Sequence, residues 1–366
     1  MKVRRWSPLV CEWADDRFMI GVPGRRRMLA VPVEVVRMLD GAGGPVAVDD
    51  LVAEAAEADR EAARAAVDLL VEHGVLVPED VEAPPKPVWE HWGRLTERFH
   101  LTTRDADYLS AGTPERDRVA AEITADGEPP PIFKEYPDRP LLMLPRTPLP
   151  LRTSVEDVFA ARRTHRVFTD DPVSLDQLST VLLHTFGPQR FIDGKAFGVQ
   201  QCRVSASAGG RHEVECYVVA HDVTGVPPGL YHYSPRLHAL ESLSGAVDRE
   251  VVAGLVFNQP PSYQGAFTIF TTAVARRLSW KYRHPRAYRL WMLDAGHYGQ
   301  TFALTCTALG LGPFQTVAFV DSAVEELLGV DPNEEFAVYL LSAGVPEGGP
   351  ARLPSDFLSP PVGIVR

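Results

Sequence analysis

Apolar residues recur with helical spacing in three short segments near the start of the chain. The first predicted helix spans about residues 33–39, and the Asp-Gly pair that follows suits a left-handed cap. A second helix is expected to begin near residue 50 and a third after Asp59, because acidic residues favour helix N-termini. The apolar triplet Val75–Val77 then indicates a strand. This order predicts that residues 1–80 form a small α+β unit with the outline of a winged helix.

Prolines interrupt the next stretch, residues 81–150, most densely at 84–87 and 129–150. Proline fixes φ and lacks an amide donor, so neither a long helix nor a central strand is expected here. We therefore predict an irregular connector, with one short helix near residues 88–95. Residues 141–144 are Leu-Leu-Met-Leu, which is too apolar for a free linker and indicates a segment that packs.

Residues 151–366 alternate between helical and strand-like patterns. Ser174 and Gln177 have the spacing of a capping box and predict a helix start. A long helix is predicted from about Ala287 to Leu309, where a glycine follows. Strand-like patterns occur at Glu215–Ala220, Gly229–Tyr233, Ala266–Val274, Phe314–Val320 and Phe336–Ala343. The alternation predicts one larger α+β domain.

Charge and hydropathy narrow the classes of protein to which the chain could belong. The chain has 366 residues and a formal net charge of -11. Nucleic-acid binding needs a basic face, so DNA or RNA is not expected as the main partner. No window approaches the roughly 18 uninterrupted apolar residues of a membrane helix, and Arg4-Arg5 is not followed by a secretory core. A cytoplasmic protein without a membrane partner is therefore expected.

The cysteines are widely separated. They are Cys11, Cys202, Cys216 and Cys306, and none of them belongs to a Cys-x-x-Cys pair. Neither a zinc site nor a disulfide framework is therefore predicted, and no metal ligand is assigned.

Three arginines occur within five residues in the segment Arg162-Arg163-Thr164-His165-Arg166. Guanidinium groups bind phosphate oxygens in bidentate fashion, and the hydroxyl of Thr164 adds one donor. In an acidic protein, this density of cations indicates a phosphate site. The alternative is a solvated basic turn.

Small residues fill the segment Ser205-Ala206-Ser207-Ala208-Gly209-Gly210, just before a predicted strand. They let the backbone approach a flat ring closely and offer N–H groups to its carbonyl oxygens. The alternative is an ordinary loop. No G-x-G-x-x-G lies between a predicted strand and a predicted helix, so a Rossmann dinucleotide domain is not expected.

Lys281 and Tyr282 form a third candidate segment, which several further cations follow. A partly desolvated lysine beside other cations titrates low enough to act as a base. A neighbouring tyrosine can donate or relay a proton. The alternative is a basic surface turn before a helix.

In this order, the segments resemble the SagB-type azoline dehydrogenases, a branch of the nitroreductase-like flavoproteins. The likeness covers about residues 151–345. Its motifs are Arg162–Arg166, Ser207–His212, Gly229–Pro235, Lys281-Tyr282 with Arg286–Arg289, and Asp294–His297. Two positions depart from the family, because Ala206 and Glu213 stand where prolines are usual. Both lie in the loop around Ser207.

The resemblance implies a mixed sheet flanked by helices, and a homodimer that binds FMN at its subunit interface. The residues implied to hold the FMN phosphate are Arg162, Arg163, Thr164 and Arg166. Those implied to line the isoalloxazine ring are Ser207, Gly209 and Gly210. The implied catalytic residues are Lys281 and Tyr282.

The implied activity is the maturation of a ribosomally made precursor peptide, most concretely oxidation of a thiazoline or oxazoline to a thiazole or oxazole. A base removes a C–H proton and a hydride passes to the flavin, which dioxygen reoxidises. A cyclodehydratase that makes the azoline is an implied partner. One alternative is an NAD(P)H-dependent nitro- or ene-reductase. The other is a peptide-binding scaffold with a vestigial flavin site.

Residues 18–77 resemble, more faintly, the small winged-helix peptide chaperone of pyrroloquinoline-quinone biosynthesis. The shared features are the helix ending at Met38–Gly41 and the ending Leu70–Leu76. The resemblance implies that the leader segment of a precursor peptide adds to a sheet edge, which we place near Met28–Val31. The alternative is a structural cap on the enzyme.

Overall fold

The structure is a computed structural model that describes residues 1–349, with the exception of residues 24, 26, 82–86, 107 and 109–111. The chain separates into two units, Met1–Tyr108 and Leu109–Arg366. Within the described ranges, no helix is both long enough and apolar enough to cross a membrane.

The described part of the N-terminal unit combines short strands with helices. Its strands are β1 (Lys2–Arg5), β2 (Val10–Ala14), β3 (Arg17–Gly21), β4 (Leu29–Ala30), β5 (Val46–Ala47) and β6 (Leu76–Pro78). Its helices are α1 (Val33–Gly41), α2 (Val48–Ala53), α3 (Arg60–Glu72) and α4 (Pro87–Thr102). The strands form two antiparallel sheets, with the orders β5-β1-β6 and β2-β3-β4.

Helices α1, α2 and α3 confirm the three helices predicted from apolar spacing. Their inward side chains share one core with the strands, formed by Val3, Val35, Leu39, Leu51, Val67, Leu70 and Leu76 among others. Each such aliphatic side chain stabilises the unit by about 1.5–3 kcal/mol through its removal from water. From α1 to β6 the order is helix, strand, helix, helix, strand. The winged-helix assignment remains a prediction.

The stretch predicted as an irregular connector is more regular than expected. Helix α4 lies in it, broken at Gly93 (φ 80), and α5 spans Pro114–Ala125. The Thr113 hydroxyl caps α5, and Pro114 occupies its first turn, where a missing N–H leaves no bond unmade. Proline here begins a helix instead of interrupting one. The boundary between the two units also falls inside this stretch.

The C-terminal unit is built on a seven-stranded sheet. The strands described in the whole unit are β7 (Leu141–Met143), β8 (Val173–Ser174), β9 (Pro188–Asp193), β10 (Val199–Arg203), β11 (Val214–Ala220), β12 (Val223–Thr224), β13 (Gly229–Ser234), β14 (Ala239–Ser244), β15 (Phe267–Val274), β16 (Gly312–Thr316) and β17 (Glu335–Gly344). The order in the large sheet is β16-β17-β15-β11-β13-β14-β7, so the apolar segment at 141–144 does pack. The resemblance implied a mixed sheet, but all the neighbouring strands of this sheet are antiparallel. A parallel pairing joins β8 and β12, outside it.

The remaining helices confirm the main helical predictions. They are α6 (Val155–Ala161), α7 (Leu175–Phe186), α8 (Arg249–Leu255), α9 (Pro260–Tyr263), α10 (Ala275–Ser279), α11 (Leu290–Ala308) and α12 (Asp321–Leu328). The capping box of Ser174 and Gln177 begins α7 as predicted. Helix α11 is the long predicted helix, although it starts after a 3-10 turn at Pro285–Arg289.

Helices cover both faces of the large sheet. On β15, Ile269 packs into a cluster with Phe302 of α11, whereas the next residue, Phe270, packs with Val324 of α12. Burial on both faces explains why the central strands read as apolar runs in the sequence. The sheet thus provides a rigid base whose strand ends position the segments of the candidate site.

Candidate active site

Two segments that are distant in the sequence meet at one end of the sheet. Because β11 and β15 are antiparallel and Val214 pairs with Ala273, the segment before β11 lies beside the segment after β15. A Cβ added to Gly209 would collide with the Tyr282 hydroxyl and would stand 2.6 Å from Lys281 Nζ. The structure therefore places the predicted ring-lining turn directly against the two predicted catalytic side chains.

The turn itself depends on glycine. Gly209 and Gly210 have φ values of 60° and 63°, in the left-handed region that side chains rarely adopt. The Gly210 amide donates to the Ser207 carbonyl (3.1 Å), which closes the turn. A side chain at position 209 would meet both backbone strain and collision with Tyr282. Glycine is therefore required here for two independent physical reasons.

Lys281 lies in an environment that favours its neutral form. Burial lowers the pKa of its ammonium group, and the cations of Arg211 and Arg116 lower it further. Its Nζ is 4.8 Å from the ring centroid of Phe197 and 5.4 Å from that of Tyr282. A lysine with a lowered pKa exposes a free amine at lower pH than an ordinary lysine, as a general base requires.

Helix α11 holds the segment that leads into the turn. Asp294 Oδ2 accepts a hydrogen bond from the Ala208 amide (2.9 Å), and His297 Nδ1 lies 3.1 Å from the Ala206 carbonyl oxygen. Asp294 and His297 are three residues apart, so they share one face of the helix. Asp294 was known from the sequence only as part of a family motif, and its contact with the turn was not predicted.

Glu213 lies immediately behind the turn and is fully buried. The Ser207 hydroxyl is 3.4 Å from Glu213 Oε2 and accepts the His212 amide at 2.9 Å. Burial, followed by the charge of Asp294, raises the pKa of Glu213 to about 8. The sequence marked Glu213 only as a departure from the family. The only local feature of the sequence that singles out Glu213 is its acidic side chain directly before a buried strand.

A network of buried charges supports the site from behind. Arg277 pairs with Glu215 at 2.5 Å, and His232 lies between Glu215 (3.1 Å) and Glu241 (2.6 Å). Arg277 also donates to the carbonyl of His212, the residue before Glu213 (3.0 Å). Burial opposes ionisation of Glu215, but Arg277 and His232 lower its pKa to about 2. The network therefore fixes the backbone that enters β11.

The proline-rich segment is attached to the same network. Arg277 donates to the Pro131 carbonyl (2.9 Å), and the Tyr136 amide donates to Glu241 (3.0 Å). Lys134 pairs with Glu335 at 2.5 Å. These contacts show that residues 131–136 pack against the strands of the C-terminal unit.

Replacing Arg277 with methionine is expected to lower the free energy of unfolding by about 3–5 kcal/mol, because the buried carboxylate of Glu215 would lose its arginine partner and keep only His232. Arg276→Met is the matched control, since Arg276 is exposed and Arg277 is 2% exposed. The deficit should shrink as the pH falls from 4.5 towards 2, because the parent protein loses the stabilisation of its ionised Glu215 over that range. Denaturant unfolding measures both effects. Equal midpoints for the two variants would refute this role of Arg277.

The arginine segment follows α6. Arg162 is the C-terminal cap of that helix, and the His165 amide donates to the Pro313 carbonyl (2.9 Å), which ties the segment to β16. Arg163, Thr164 and Arg166 are exposed, and Arg162 is half-buried. Within the described ranges, neither Arg162 nor Arg166 forms a side-chain hydrogen bond or ion pair. Their guanidinium groups are therefore available to an external anion.

The arginine segment and the glycine turn lie near opposite ends of α11. The turn contacts Asp294 near the start of α11, whereas His165 of the arginine segment contacts Pro313, just beyond the end of α11 at Ala308. A rise of 1.5 Å per residue separates these two helix positions by roughly 20 Å. A ligand that binds both segments must therefore be elongated, with an anionic group at one end and a flat group at the other. FMN has this shape.

A groove of about 550 Å³ in the N-terminal unit borders β4. Its lining includes Trp13, Phe18, Val31, Val33 and Val36. The Trp13 side chain is 74% exposed and contacts the Phe18 ring edge-on, with ring centroids 5.4 Å apart. β4 is the last strand in the order β2-β3-β4, so the strand predicted near Met28–Val31 is an edge within the described residues.

Comparison with known proteins identifies relatives of the chain. The sequence model of the nitroreductase family matches residues 159–345, just over half of the chain. The trifolitoxin-processing protein TfxB of Rhizobium leguminosarum bv. trifolii is 26% identical over 308 residues, which cover 80% of this chain and 83% of TfxB. The trifolitoxin operon protein TfxC of the same organism is 24% identical over 308 residues, covering 80% and 84%.

A solved structure shares the fold. The crystal structure of a nitroreductase-type protein from Anabaena variabilis superposes with a TM-score of 0.53 at 23% identity. The superposition covers 73% of this chain and 49% of that one, so this chain spans about half the length of that structure. The alignments with TfxB and TfxC are longer than the matched family segment, so that similarity extends beyond it.

Proposed function

Because the chain belongs to the nitroreductase family and is an FMN-dependent oxidoreductase with the nitroreductase-like fold, we propose that it dehydrogenates a ribosomally made precursor peptide. In its most specific form, the proposal is oxidation of azolines to azoles, as in the SagB-type enzymes. The observation on which it rests is the contact between the glycine turn and the pair Lys281 and Tyr282. That contact places a base and a proton relay beside the turn against which the flavin would lie.

The residues present fit FMN at both ends. At the ring end, Gly209 and Gly210 have no side chains that could keep a flat group away from the backbone, and Lys281 and Tyr282 lie against Gly209. At the phosphate end, Arg162 and Arg166 offer charge-assisted donors that no described residue uses. Thr164 and Arg163 extend the same exposed segment. Bound FMN would supply the two-electron acceptor of the reaction.

The protein side chains would accept and transfer the proton. The C–H proton of the azoline passes to Lys281 Nζ, whose lowered pKa makes the free amine available. The Tyr282 hydroxyl orients the substrate heteroatom or relays the proton outward. A second hydrogen leaves the substrate with its electron pair. The substrate thus loses two hydrogens in total and gains a ring double bond. Dioxygen is the proposed final electron acceptor.

A peptide substrate is supported by the likeness to TfxB, a trifolitoxin-processing protein. The C-terminal site would contact only a few atoms of a peptide, so affinity for one precursor must come from elsewhere. The groove beside β4 offers an edge strand and an exposed tryptophan, which suit an extended leader segment. A tethered second site raises the effective concentration at the active site to about the millimolar range.

A homodimer is proposed because apolar side chains are exposed beside both FMN-binding segments. On α6, Val155 and Phe159 are 63% and 62% exposed, one turn apart and just before Arg162. At the start of α11, Leu293 is 61% exposed beside Asp294. A second copy of the chain would cover these residues and enclose the cofactor. A cyclodehydratase is the other proposed partner, because the azoline must be formed before it is oxidised.

The direct test uses the precursor peptide encoded beside this chain, after a cyclodehydratase has installed its azolines. Incubation with the FMN-loaded protein in air should remove two hydrogen masses per ring, measured by mass spectrometry. Lys281→Ala is the inactive control. An unchanged peptide mass, combined with rapid bleaching of the bound flavin by NADPH, would instead identify a nitro- or ene-reductase.

Replacing Trp13 with alanine is expected to raise KM for the full precursor about 30-fold, because an exposed aromatic anchor contributes about 2 kcal/mol to binding. The kcat value should be unchanged, since Trp13 lies in the N-terminal unit. Trp92→Ala is the matched control, because Trp92 is 64% exposed on α4 and does not line the groove. Steady-state kinetics with full and leaderless peptides measure the effect. An equal KM for both tryptophan variants would contradict leader binding by this groove and would favour the alternative that the N-terminal unit is a structural cap.

A further inference from the structure

Two buried carboxyl groups meet directly behind the glycine turn. Glu213 is 0% exposed and Asp294 is 3% exposed, and they accept hydrogen bonds from two adjacent residues of the chain, Ser207 and Ala208. Glu213 Oε1 is buried and accepts no hydrogen bond from the described residues. Two neighbouring carboxyl groups in a buried site repel each other strongly when both are ionised, so one of them tends to keep its proton.

Each carboxyl group also contacts the turn. Asp294 Oδ2 accepts from the Ala208 amide (2.9 Å), and the Ser207 hydroxyl lies 3.4 Å from Glu213 Oε2. Ala208 and Ser207 precede Gly209, the residue in contact with Lys281 and Tyr282. A change in the separation of the two carboxyl groups would therefore act on the two residues that lead into the glycines.

We propose that Glu213 and Asp294 share one proton and act as positioning residues for FMN, so that the turn receives the flavin ring only while that proton is present. This inference rests on the proposed placement of the isoalloxazine ring against Ser207, Gly209 and Gly210. It assigns a function to Glu213, one of the two positions at which the sequence departs from the SagB-type family.

The charges around the pair favour the protonated state. Burial and then Asp294 raise the pKa of Glu213 to about 8, and Arg277 opposes this shift. Arg277 does not neutralise the pair, because its guanidinium is already paired with Glu215. His297 Nδ1 is 3.8 Å from Asp294 Oδ1 at the exposed side.

Other titratable groups also face the pair. Tyr298 lies on α11 next to His297, and the charges of Glu213 and Asp294 contribute to raising the pKa of its buried hydroxyl. Arg211, in the same loop as the turn, is a further cation within reach of Glu213. The Arg211 guanidinium donates to the carbonyl oxygens of Arg277 (3.1 Å) and Phe197 (3.3 Å) instead of to the carboxyl pair.

Loss of the proton would leave two negative charges in contact in a poorly solvated site. Repulsion between them is relieved only if Asp294 and Glu213 move apart, and each movement pulls on a residue of the turn. The left-handed conformations of Gly209 and Gly210 are held by this small set of contacts. FMN affinity should therefore fall at alkaline pH.

The experiment titrates the apoprotein with FMN and follows quenching of flavin fluorescence between pH 6 and pH 9. Apparent affinity scales with the fraction of protein in the competent state, so a pKa of about 8 predicts about tenfold weaker binding at pH 9 than at pH 7. Glu213→Gln keeps a neutral donor of the same shape. It should bind FMN with the parental affinity at pH 7 and lose the alkaline weakening.

Two further variants test whether the carboxyl pair is the origin of the alkaline weakening. Asp294→Asn retains an oxygen for the Ala208 amide and removes the repulsion, so its affinity should also be independent of pH. Lys281→Ala should keep the alkaline weakening, which excludes the lysine as its origin. The proposal is overturned if the parent shows no alkaline weakening, or if Glu213→Gln and Asp294→Asn both retain it.

The inference and the proposed function fail in different ways. If the precursor peptide is never oxidised but FMN affinity still depends on Glu213 and pH, the proposed function is wrong and the role of the carboxyl pair in FMN binding is supported. If thermal stability of the apoprotein responds to pH through Glu213 but FMN affinity does not, the pair exists and its role in positioning FMN is refuted.

Discussion

Lys281→Ala is expected to slow peptide dehydrogenation about 10²–10⁴-fold, because removal of a general base typically has an effect of this size. FMN should remain bound, since Lys281 is not one of the residues proposed to hold the phosphate or to line the ring. The loss should appear mainly in kcat. Stopped-flow or single-turnover oxidation of an azoline-containing precursor measures it, with flavin absorbance reporting occupancy.

The pH profile distinguishes a base from a structural lysine. The free amine is the active form, so the rate of the parent enzyme should rise with pH up to the lowered pKa of Lys281. The rising limb should be absent in Lys281→Ala. Tyr282→Phe should retain it and lose less activity, because the hydroxyl relays the proton without being its first acceptor.

Lys195→Ala is the control for loss of a lysine charge. Lys195 is exposed and lies two residues from Phe197, the ring over which Lys281 Nζ stands. Its replacement should leave the rate unchanged. If Lys281→Ala and Tyr282→Phe both oxidised the peptide at the parental rate, the base would have to be sought elsewhere, first at His284 and then at His212.

His212 is a poorer base in this structure than its position in the sequence suggests. Its ring is buried and its Nδ1 is 2.6 Å from the Tyr298 hydroxyl. Burial and then the charge of Arg203 lower its pKa to about 3, so it stays neutral and bound to Tyr298. Lys281 has the better access to a substrate at the turn.

Local signals explain which helices could be predicted. The capping box at Ser174 and the glycine after Leu309 are short-range features, and the structure contains both helices they define. Helix α5 was not predicted, although Thr113 and Pro114 are a good helix start. The neighbouring prolines indicated an interrupted chain, and proline either breaks or begins a helix depending on its position in the first turn.

The contacts of the site depend on strand pairing, which local patterns do not encode. Glu213 meets Asp294 only because β11 pairs with β15 and α11 packs against the loop before β11. The sequence likewise gives no sign that Arg277 is buried whereas Arg276, next to it, is exposed. Lys281 and Tyr282 were candidates from the sequence, and the family resemblance implied their catalytic role. Their contact with Gly209 is a result of the same pairing.

Replacing both Arg162 and Arg166 with alanine is expected to weaken FMN binding by at least about 100-fold. A hydrogen bond to a charged group contributes about 1.5–3 kcal/mol, and each 1.4 kcal/mol is a factor of about ten in affinity. Both guanidinium groups are available to a phosphate, and Thr164 would remain as a weaker, neutral donor. Fluorescence titration of the apoprotein measures the dissociation constant.

Riboflavin provides the sharpest control, because it has the same ring as FMN and no phosphate. The parent protein should prefer FMN to riboflavin by the amount that the arginines contribute, and the double variant should bind the two about equally. A second double variant, Arg152→Ala with Arg190→Ala, removes two exposed cations of the same unit and tests for an unspecific effect of charge. It should keep the preference for FMN. If the variant lacking Arg162 and Arg166 still preferred FMN to riboflavin as strongly as the parent does, the phosphate would bind elsewhere, and the arginine segment would be a solvated basic turn.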